Sequence, residues 1–342
     1  MNSRVTLQDV AREAGVSSAT VDRVLNNREG VRRRTREIVM TAAQRLGYVS
    51  TVDLPVSSAA AGTIDLVFLL PAGTNAFMHV LRQQLEIQAV GREGIRVRVE
   101  MIEGFSPPTL AARLNELRGQ VHGVGIVAQD HPLVREAIRG LVAEGAHLVT
   151  LASDIQSVPR LAYVGIDNRQ AGRLAGLLMG RFLAHDPTAQ VALFAGSLSY
   201  RGHEEREMGF RHILAEEFPR IQIVELREIL DDRAKAFAEA EQLLNRHPKL
   251  SGIYNVGAGT HGIAQALKSR SLERKVLLIG HEATEDNKRL LLEGALDAVI
   301  DQNPRVEARE ALNLLTAAAR GQPYDFVPLR LQVIFRENLP VE

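Results

Sequence analysis

Residues 6–27, TLQDVAREAGVSSATVDRVLNN, constrain this chain more than any other stretch. Leu7, Val10, Ala11 and Ala14 recur at the three- and four-residue steps of one helical face, and Gly15 supplies the tight turn that stops that helix. Ser17 stands where an N-cap hydroxyl takes the free N–H groups of a second helix, whose apolar stripe is Val21, Val24 and Leu25. Two short helices joined through a glycine turn predict a helix-turn-helix, a unit whose second helix fits the major groove of DNA. A third helix over residues 33–46 offers Ile38, Val39, Ala42, Ala43 and Leu46 to close a core over the first two. So small a core predicts only modest stability for the unit alone.

Charge points the same way. The chain is formally neutral, yet its first fifty residues set nine arginines against five acidic residues, +4, and leave −4 for the remainder. A basic head on an acidic body suits contact with phosphates at one end only. The absence of cysteine excludes disulfides, thiolate zinc sites and cysteine nucleophiles, and is compatible with a reducing compartment. No apolar run approaches the ~18 residues of a membrane span, and the N-terminus reads as amphipathic helix instead of an apolar signal core. A cytoplasmic protein without a membrane partner is expected.

The wording of the head is more specific than its periodicity. VTLQDVAREAGVSSATVDRVLN, followed by Val31, Thr35 and Leu46-Gly47-Tyr48, resembles the headpiece of the lactose/galactose repressor (LacI/GalR) family of bacterial transcription regulators. The resemblance implies a three-helix DNA-binding headpiece over residues 1–48, a hinge over 49–62 and an effector-binding body over 63–342. By position it places base-edge contacts at Ser18, Ala19 and Arg23, of which Arg23 can pair bidentately with guanine. Thr6, Ser17, Thr20, Asn26, Thr35 and Tyr48 match backbone-contacting positions, which orient the head without reading sequence. Asp22 departs from the family's usual serine. The hinge, VSTVDLPVSSAAAG, departs further: Ser57 stands where the family's minor-groove leucine would be, and Leu54 lies three residues early, before Pro55, which argues against minor-groove kinking.

Beyond Gly62, apolar runs of strand length alternate with amphipathic segments. Strands are predicted at 64–70, 95–101, 123–128, 147–151, 162–166, 190–195, 222–226, 252–256, 276–280 and 298–301, and helices at 75–90, 110–117, 133–144, 170–183 and 234–245. Repeated strand–helix–strand units predict an α/β body of parallel sheets covered on both faces, and about ten strands divide into two lobes. The family arrangement is that of periplasmic sugar-binding proteins. It implies a first lobe of about 63–165 and 296–328, with 298–301 as a strand in it, and a second lobe of about 166–295 and 329–342 that 329–335 completes. Only RENLPVE follows, with no leucine heptads, so a homodimer is expected in preference to a tetramer.

In two-lobed sheets, ligands bind where loops leave the carboxyl ends of strands. Those loops are polar here, and the resemblance carries the family's effector contacts to Asn75, Phe77, Asp130, Asp154, Arg206, Asn255, Glu282 and Gln302. Carboxylates, amides and an arginine suit a sugar or polyol, whose hydroxyls both donate and accept; Phe77 or Tyr200 can stack on a ring. A rival reading comes from Gly257-x-Gly259-x-x-Gly262, a G-x-G-x-x-G between a strand and a helix with Glu282 about twenty residues on, the pattern of an NAD(H) sensor or a dehydrogenase. Scattered histidines and the Glu204-Glu205 pair form no catalytic or metal constellation, and no cofactor is expected. The expected partners are double-stranded operator DNA, a small effector acting as inducer or corepressor, and a second copy of the chain.

Overall fold

The computed structural model describes residues 6–25, 35, 38, 39, 42, 43, 46, 63–186 and 188–340. The chain divides into two compact units, Met1–Gly62 and Thr63–Glu342. In the first, the helix Leu7–Ala14 opens with the backbone N–H and hydroxyl of Thr6 both donating to the Asp9 carboxylate, at 2.9 and 2.6 Å. It stops at Gly15, whose φ of 65° is left-handed and lets the Val16 N–H reach the Ala11 carbonyl at 3.1 Å. Ser17 caps the next helix, Ser18–Leu25, its hydroxyl accepting the Thr20 N–H at 3.2 Å. Val10, Ala11, Ala14, Val21, Val24, Val39, Ala42 and Ala43 form the core, with Leu7, Val16 and Leu46 against it. Ile38 does not join them: it is 46% exposed, because its neighbour Val39 holds the inward position on that helical segment. Asn26, Tyr48, the hinge 49–62 and the Leu25 side chain lie outside the described residues.

The second unit carries two sheets. β1 (Ile64–Pro71), β2 (Ile95–Ile102), β3 (Gly123–Ile126), β4 (His147–Leu151) and β5 (Ala162–Val164) pair in parallel in the order β2-β1-β3-β4-β5. The other sheet contains β6 (Gln190–Ala195), β7 (Gln222–Glu228), β8 (Leu250–Asn255), β9 (Leu277–His281), β10 (Ala298–Asp301) and β11 (Gln332–Ile334), in the order β11-β10-β9-β8-β6-β7. Among the described strands, only β11 is antiparallel to its neighbour. Strand order reverses at β1/β3 in one sheet and β6/β8 in the other, the switch points beside which doubly wound sheets place ligands.

The continuous apolar runs follow from burial on both faces. In β1, Leu66, Phe68 and Leu70 enter one cluster while Val67 and Leu69 enter the cluster on the opposite face. β6 divides in the same way, Ala192 and Phe194 against Val191, Leu193 and Ala195. Each sheet is thus the middle of a three-layer sandwich.

One assignment is corrected. Residues 298–301 do not belong to the first lobe: β10 pairs with β9, Val299 opposite Gly280 and Ile300 opposite His281. The chain crosses back only after β10, and the helix Pro304–Ala319 then gives Ala308, Ala311, Leu312 and Leu315 to the core of the first sheet. A short apolar strand carries no signal for which sheet receives it. The predicted return at 329–335 is shorter, Gln332–Ile334, and lies in the second sheet.

The helices Asn168–Phe182 and Arg201–Glu217 touch through bare backbone. A Cβ on Gly172 would lie 1.9 Å from the Arg206 carbonyl oxygen, and one on Gly209 would lie 2.1 Å from that of Arg169. This approach anchors the turn of helix that carries Arg206.

Candidate functional site

Loops from the carboxyl ends of both sheets enclose a cavity of about 1060 Å³, counting its open mouth. Pro71–Phe77, Val127 and Ala152-Ser153 come from the first sheet; Leu230-Asp231, Gly257-Ala258-Gly259, His281-Glu282 and Gln302 come from the second, with Arg206 rising from its helix. Phe77, Met78, Phe105 and Tyr200 supply apolar wall, Tyr200 meeting Phe105 edge-on at 5.3 Å between ring centroids.

Arg206 is 4% exposed and held from two sides, its Nε donating to Asn168 Oδ1 at 2.7 Å and its Nη1 to the Val256 carbonyl at 2.8 Å. Its Nη2 faces Glu282 Oε1 at 3.8 Å. Gln302 Nε2 donates to the same carboxyl oxygen at 2.7 Å. Burial pushes the Glu282 carboxyl up to about 8, against the opposing pull of Arg206. Behind it, Glu307 on the helix Pro304–Ala319 is raised well above the usual carboxylate range by burial and by the Glu282 charge, and its Oε1 accepts the Ala152 N–H at 2.8 Å. His281 lies beside them, held well below its usual range by burial and then by Arg206, with its Nε2 2.8 Å from the Tyr254 hydroxyl. Glu282 Oε2, Gln302 Oε1 and His281 Nδ1 are buried polar atoms with no protein hydrogen-bond partner.

The backbone at this site is strained. Glu282 sits at φ 69°, and the Asn287 amide secures it by donating to the His281 and Glu282 carbonyls, each at 2.8 Å. Across the cavity Leu230 and Asp231 are consecutive left-handed residues, φ 53° and 54°. A non-glycine residue there costs roughly 1–2 kcal/mol, and the turn is held by the Leu230 N–H on Gly196 O at 2.8 Å. The strain aims Asp231 at both lobes: its Oδ1 accepts the Ala258 N–H and its Oδ2 the Asn75 amide, both at 2.9 Å, and its carbonyl accepts from Thr74 Oγ1 at 2.9 Å. Asn75 is itself the N-cap of the helix Ala76–Ala89, so one side chain starts that helix and spans the cleft.

Of the residues singled out from sequence, the cavity gathers Asn75, Phe77, Arg206, Glu282 and Gln302. Three others turn elsewhere. Asp130 is paired with Arg135 at 2.7 Å, Asp154 accepts from Thr150 Oγ1 at 2.7 Å and pairs with Arg160, and Asn255 lies beneath the surface. The Asn255 amide instead ties the Gly257 and Ala258 carbonyls and Thr260 Oγ1, at 3.0, 3.0 and 2.9 Å, shaping the glycine loop. That loop has a packing reason for its glycines: Gly259 has φ +89°, and a Cβ on Gly262 would lie 2.2 Å from the Arg233 carbonyl oxygen. Sequence reasoning missed Asp231 and His203. The predicted end of β7 at 226 left Asp231 in unassigned chain, whereas the strand runs to Glu228 and puts Asp231 three residues past its end.

On the head, Ser17, Ser18, Ala19 and Arg23 are exposed, while Thr20 and Thr35 are half-buried. Ser17 and Thr20 share a hydrogen bond between hydroxyls at 2.9 Å. Thr6 is exposed and bound to Asp9.

Comparison with known proteins matches residues 66–323 to the periplasmic binding protein domain and residues 6–50 to the bacterial regulatory proteins of the lacI family. The chain is 28% identical to catabolite control protein A of Priestia megaterium, over 98% of this chain and 99% of that one. It is 26% identical to the ribose operon repressor of Bacillus subtilis over 96% of each. Among solved structures, an ABC transporter solute-binding protein of Burkholderia graminis in complex with D-arabinose shares the fold, with a TM-score of 0.76 at 23% identity over 81% of this chain and 97% of that one.

Proposed function

Because this chain belongs to the lacI family of bacterial regulatory proteins, with a periplasmic binding protein domain behind its DNA-binding head, we propose that it is a transcriptional repressor released from its operator by a small sugar or polyol. The observation that carries the effector half is the cleft itself. Arg206, Glu282 and Gln302 stand on one lobe and Asn75 on the other, and Asn75 reaches Asp231 across the gap. A ligand held there contacts both lobes only when they are closed, and that difference is what couples its binding to a second site, typically by about 1–3 kcal/mol.

In this reading Arg23 reads a guanine, Ser18 and Ala19 make the remaining base contacts, and Thr6, Ser17, Thr20, Asn26, Thr35 and Tyr48 hold phosphates. Two copies of the chain bind a pseudo-palindromic operator in the cytoplasm. Asp130, Asp154 and Asn255 are assigned to support of the loops instead of ligand contact, on the partners described above. Full-length relatedness to a ribose operon repressor supports the repressor reading over the dinucleotide one.

Two measurements test it. Binding to labelled duplex DNA should weaken steeply with salt, the slope of log K against log salt being about −0.9 per phosphate contacted; a flat salt series removes the DNA-binding half. A thermal-shift panel of monosaccharides, polyols and NAD(H) should show stabilisation by a sugar or polyol that also weakens operator binding. Stabilisation by NAD(H) alone restores the rival.

A further inference from the structure

We propose that Asn168 is a positioning residue that ties the effector arginine of the second lobe to a strained turn of the first, and that this tie carries ligand binding to the hinge. The inference rests on the effector reading above and deepens it. Asn168 opens the helix Asn168–Phe182, is 1% exposed and does not line the cavity. Its two polar atoms serve different lobes. Oδ1 accepts Arg206 Nε at 2.7 Å on the second lobe. Nδ2 donates to the Tyr163 hydroxyl at 2.9 Å and to the Ala152 carbonyl at 3.3 Å, at β5 and at the end of β4 on the first.

Ala152 lines the cavity at φ 53°, a left-handed value that a residue with a Cβ keeps only when its surroundings hold it there. Several groups hold this turn. The Tyr163 hydroxyl reaches the Ala152 carbonyl at 3.1 Å, and Glu307 Oε1 accepts the Ala152 N–H at 2.8 Å. The Gly202 N–H, at the start of the helix that carries Arg206, donates to the adjoining Ser153 hydroxyl at 3.1 Å. Two of the passages between lobes end on these same partners. Ile166 leads from β5 into the helix of Asn168, and its carbonyl also lies 3.1 Å from the Tyr163 hydroxyl. Asn303, at φ 56°, leads from β10 into the helix of Glu307. One turn of the first lobe is thereby bound to both passages and, through Asn168, to Arg206.

The arrangement has two alternatives, which transmission between sites requires. Tyr163 has one hydroxyl proton for two carbonyls at the same 3.1 Å, Ala152 and Ile166. Asn168 Nδ2 supplies Ala152 as well, so the position of Asn168 decides which carbonyl needs that proton. Arg206 sets the position of Asn168 in turn. Its Nε and Nη1 are spent on Asn168 and Val256, whereas Nη2 stands 3.8 Å from Glu282, beyond hydrogen-bond reach, and is left for a ligand. The guanidinium is a rigid planar fork, so a ligand that draws on Nη2 moves Nε with it. Asn168 follows, and the strained turn at Ala152 is released or tightened.

The test compares the unaltered full chain with Asn168→Asp and Tyr163→Phe. Each is titrated calorimetrically with D-ribose, D-arabinose, D-glucose, D-galactose and sorbitol. Its affinity for a duplex that the unaltered chain selects from random-sequence DNA is then measured with and without saturating sugar. The unaltered chain should change its DNA affinity by about tenfold or more on binding at least one of these probes. Asn168→Asp keeps an oxygen for Arg206 and loses the N–H₂; it should still bind that sugar, with a DNA response below about twofold. Tyr163→Phe loses the hydroxyl and leaves Asn168 on Ala152; it should bind the sugar within about threefold of the unaltered chain and give an intermediate response. A side chain that only supports the fold lowers affinity and response together, or neither, and either result overturns the inference while the sugar site stands. Should Asn168→Asp fail to fold, the same split in Tyr163→Phe decides. Binding of none of the five probes, with DNA binding intact, overturns the sugar reading and the inference together.

Discussion

Glu282→Gln should make the free protein more stable at alkaline pH, by an amount that grows between pH 4.5 and about 8, the ordinary and the buried values for this carboxyl. Below the lower value the carboxyl is protonated whether the chain is folded or not, and it contributes no pH dependence. Between the two the unfolded chain ionises while the folded chain keeps its proton, so rising pH favours unfolding; above about 8 the full cost is present. At ~1.36 kcal/mol per tenfold change in proton affinity, a rise from 4.5 to about 8 corresponds to about 5 kcal/mol. That is a large share of the ~5–15 kcal/mol that holds a typical domain together. The Gln variant keeps the volume and the contact with Gln302, and places an amide N–H₂ where Glu282 Oε2 lacks a partner, a pH-independent loss of about 1–3 kcal/mol. The stability curves of variant and parent should therefore cross. Urea unfolding followed by near-ultraviolet circular dichroism suits the test, because the chain has no tryptophan and Tyr200 and Tyr254 are buried close to the site. A difference between the two proteins that stays constant to within about 1 kcal/mol from pH 5 to pH 9 refutes the reasoning.

Gly172→Ala must open the contact between the helices Asn168–Phe182 and Arg201–Glu217 by about an ångström, since its Cβ would start 1.9 Å from the Arg206 carbonyl oxygen and real contacts begin at 3.0 Å. Overpacking of ~1–3 kcal/mol against a helix-propensity gain of ~1 kcal/mol leaves a net loss of up to about 2 kcal/mol, together with weaker effector binding through Arg206; unchanged urea midpoint and affinity would contradict the backbone-contact argument. Asp231→Ala removes the acceptor that Asn75 and Ala258 share. The free protein should then show a larger radius of gyration by X-ray scattering, and an identical profile would rule out Asp231 as a catch between the lobes. Arg23→Ala should weaken specific operator binding by about 1–3 kcal/mol and relax one base position, which footprinting on a set of single-base operator variants detects; an unaltered footprint argues against base contact.

How much of this was legible in advance depends on how local the determining interaction is. The Gly15 stop and the Ser17 cap join residues within five positions of one another, and the sequence alone determined those. The same holds for the strands: five consecutive buried residues in β1 form a continuous apolar run because both faces of the sheet are covered. Five of the eight candidate effector residues also reached the cavity, since loops at the carboxyl ends of parallel strands converge there whatever their detail.

Tertiary structure decided the rest. β10 is too short to declare its sheet, and only pairing with β9 assigns it. Asp130 and Asp154 were polar in the right loops, but each had an arginine within six residues to pair with first. Asp231 became a bridge only when two left-handed residues turned it toward Asn75, 156 positions earlier in the chain. Glu282 and Glu307, on different elements, are buried within reach of each other's charge only in the folded protein. Hydrogen bonds and apolar stripes a few residues apart are written in spacing; which distant charges end up side by side, and what burial then does to their protons, depends on how the whole chain packs.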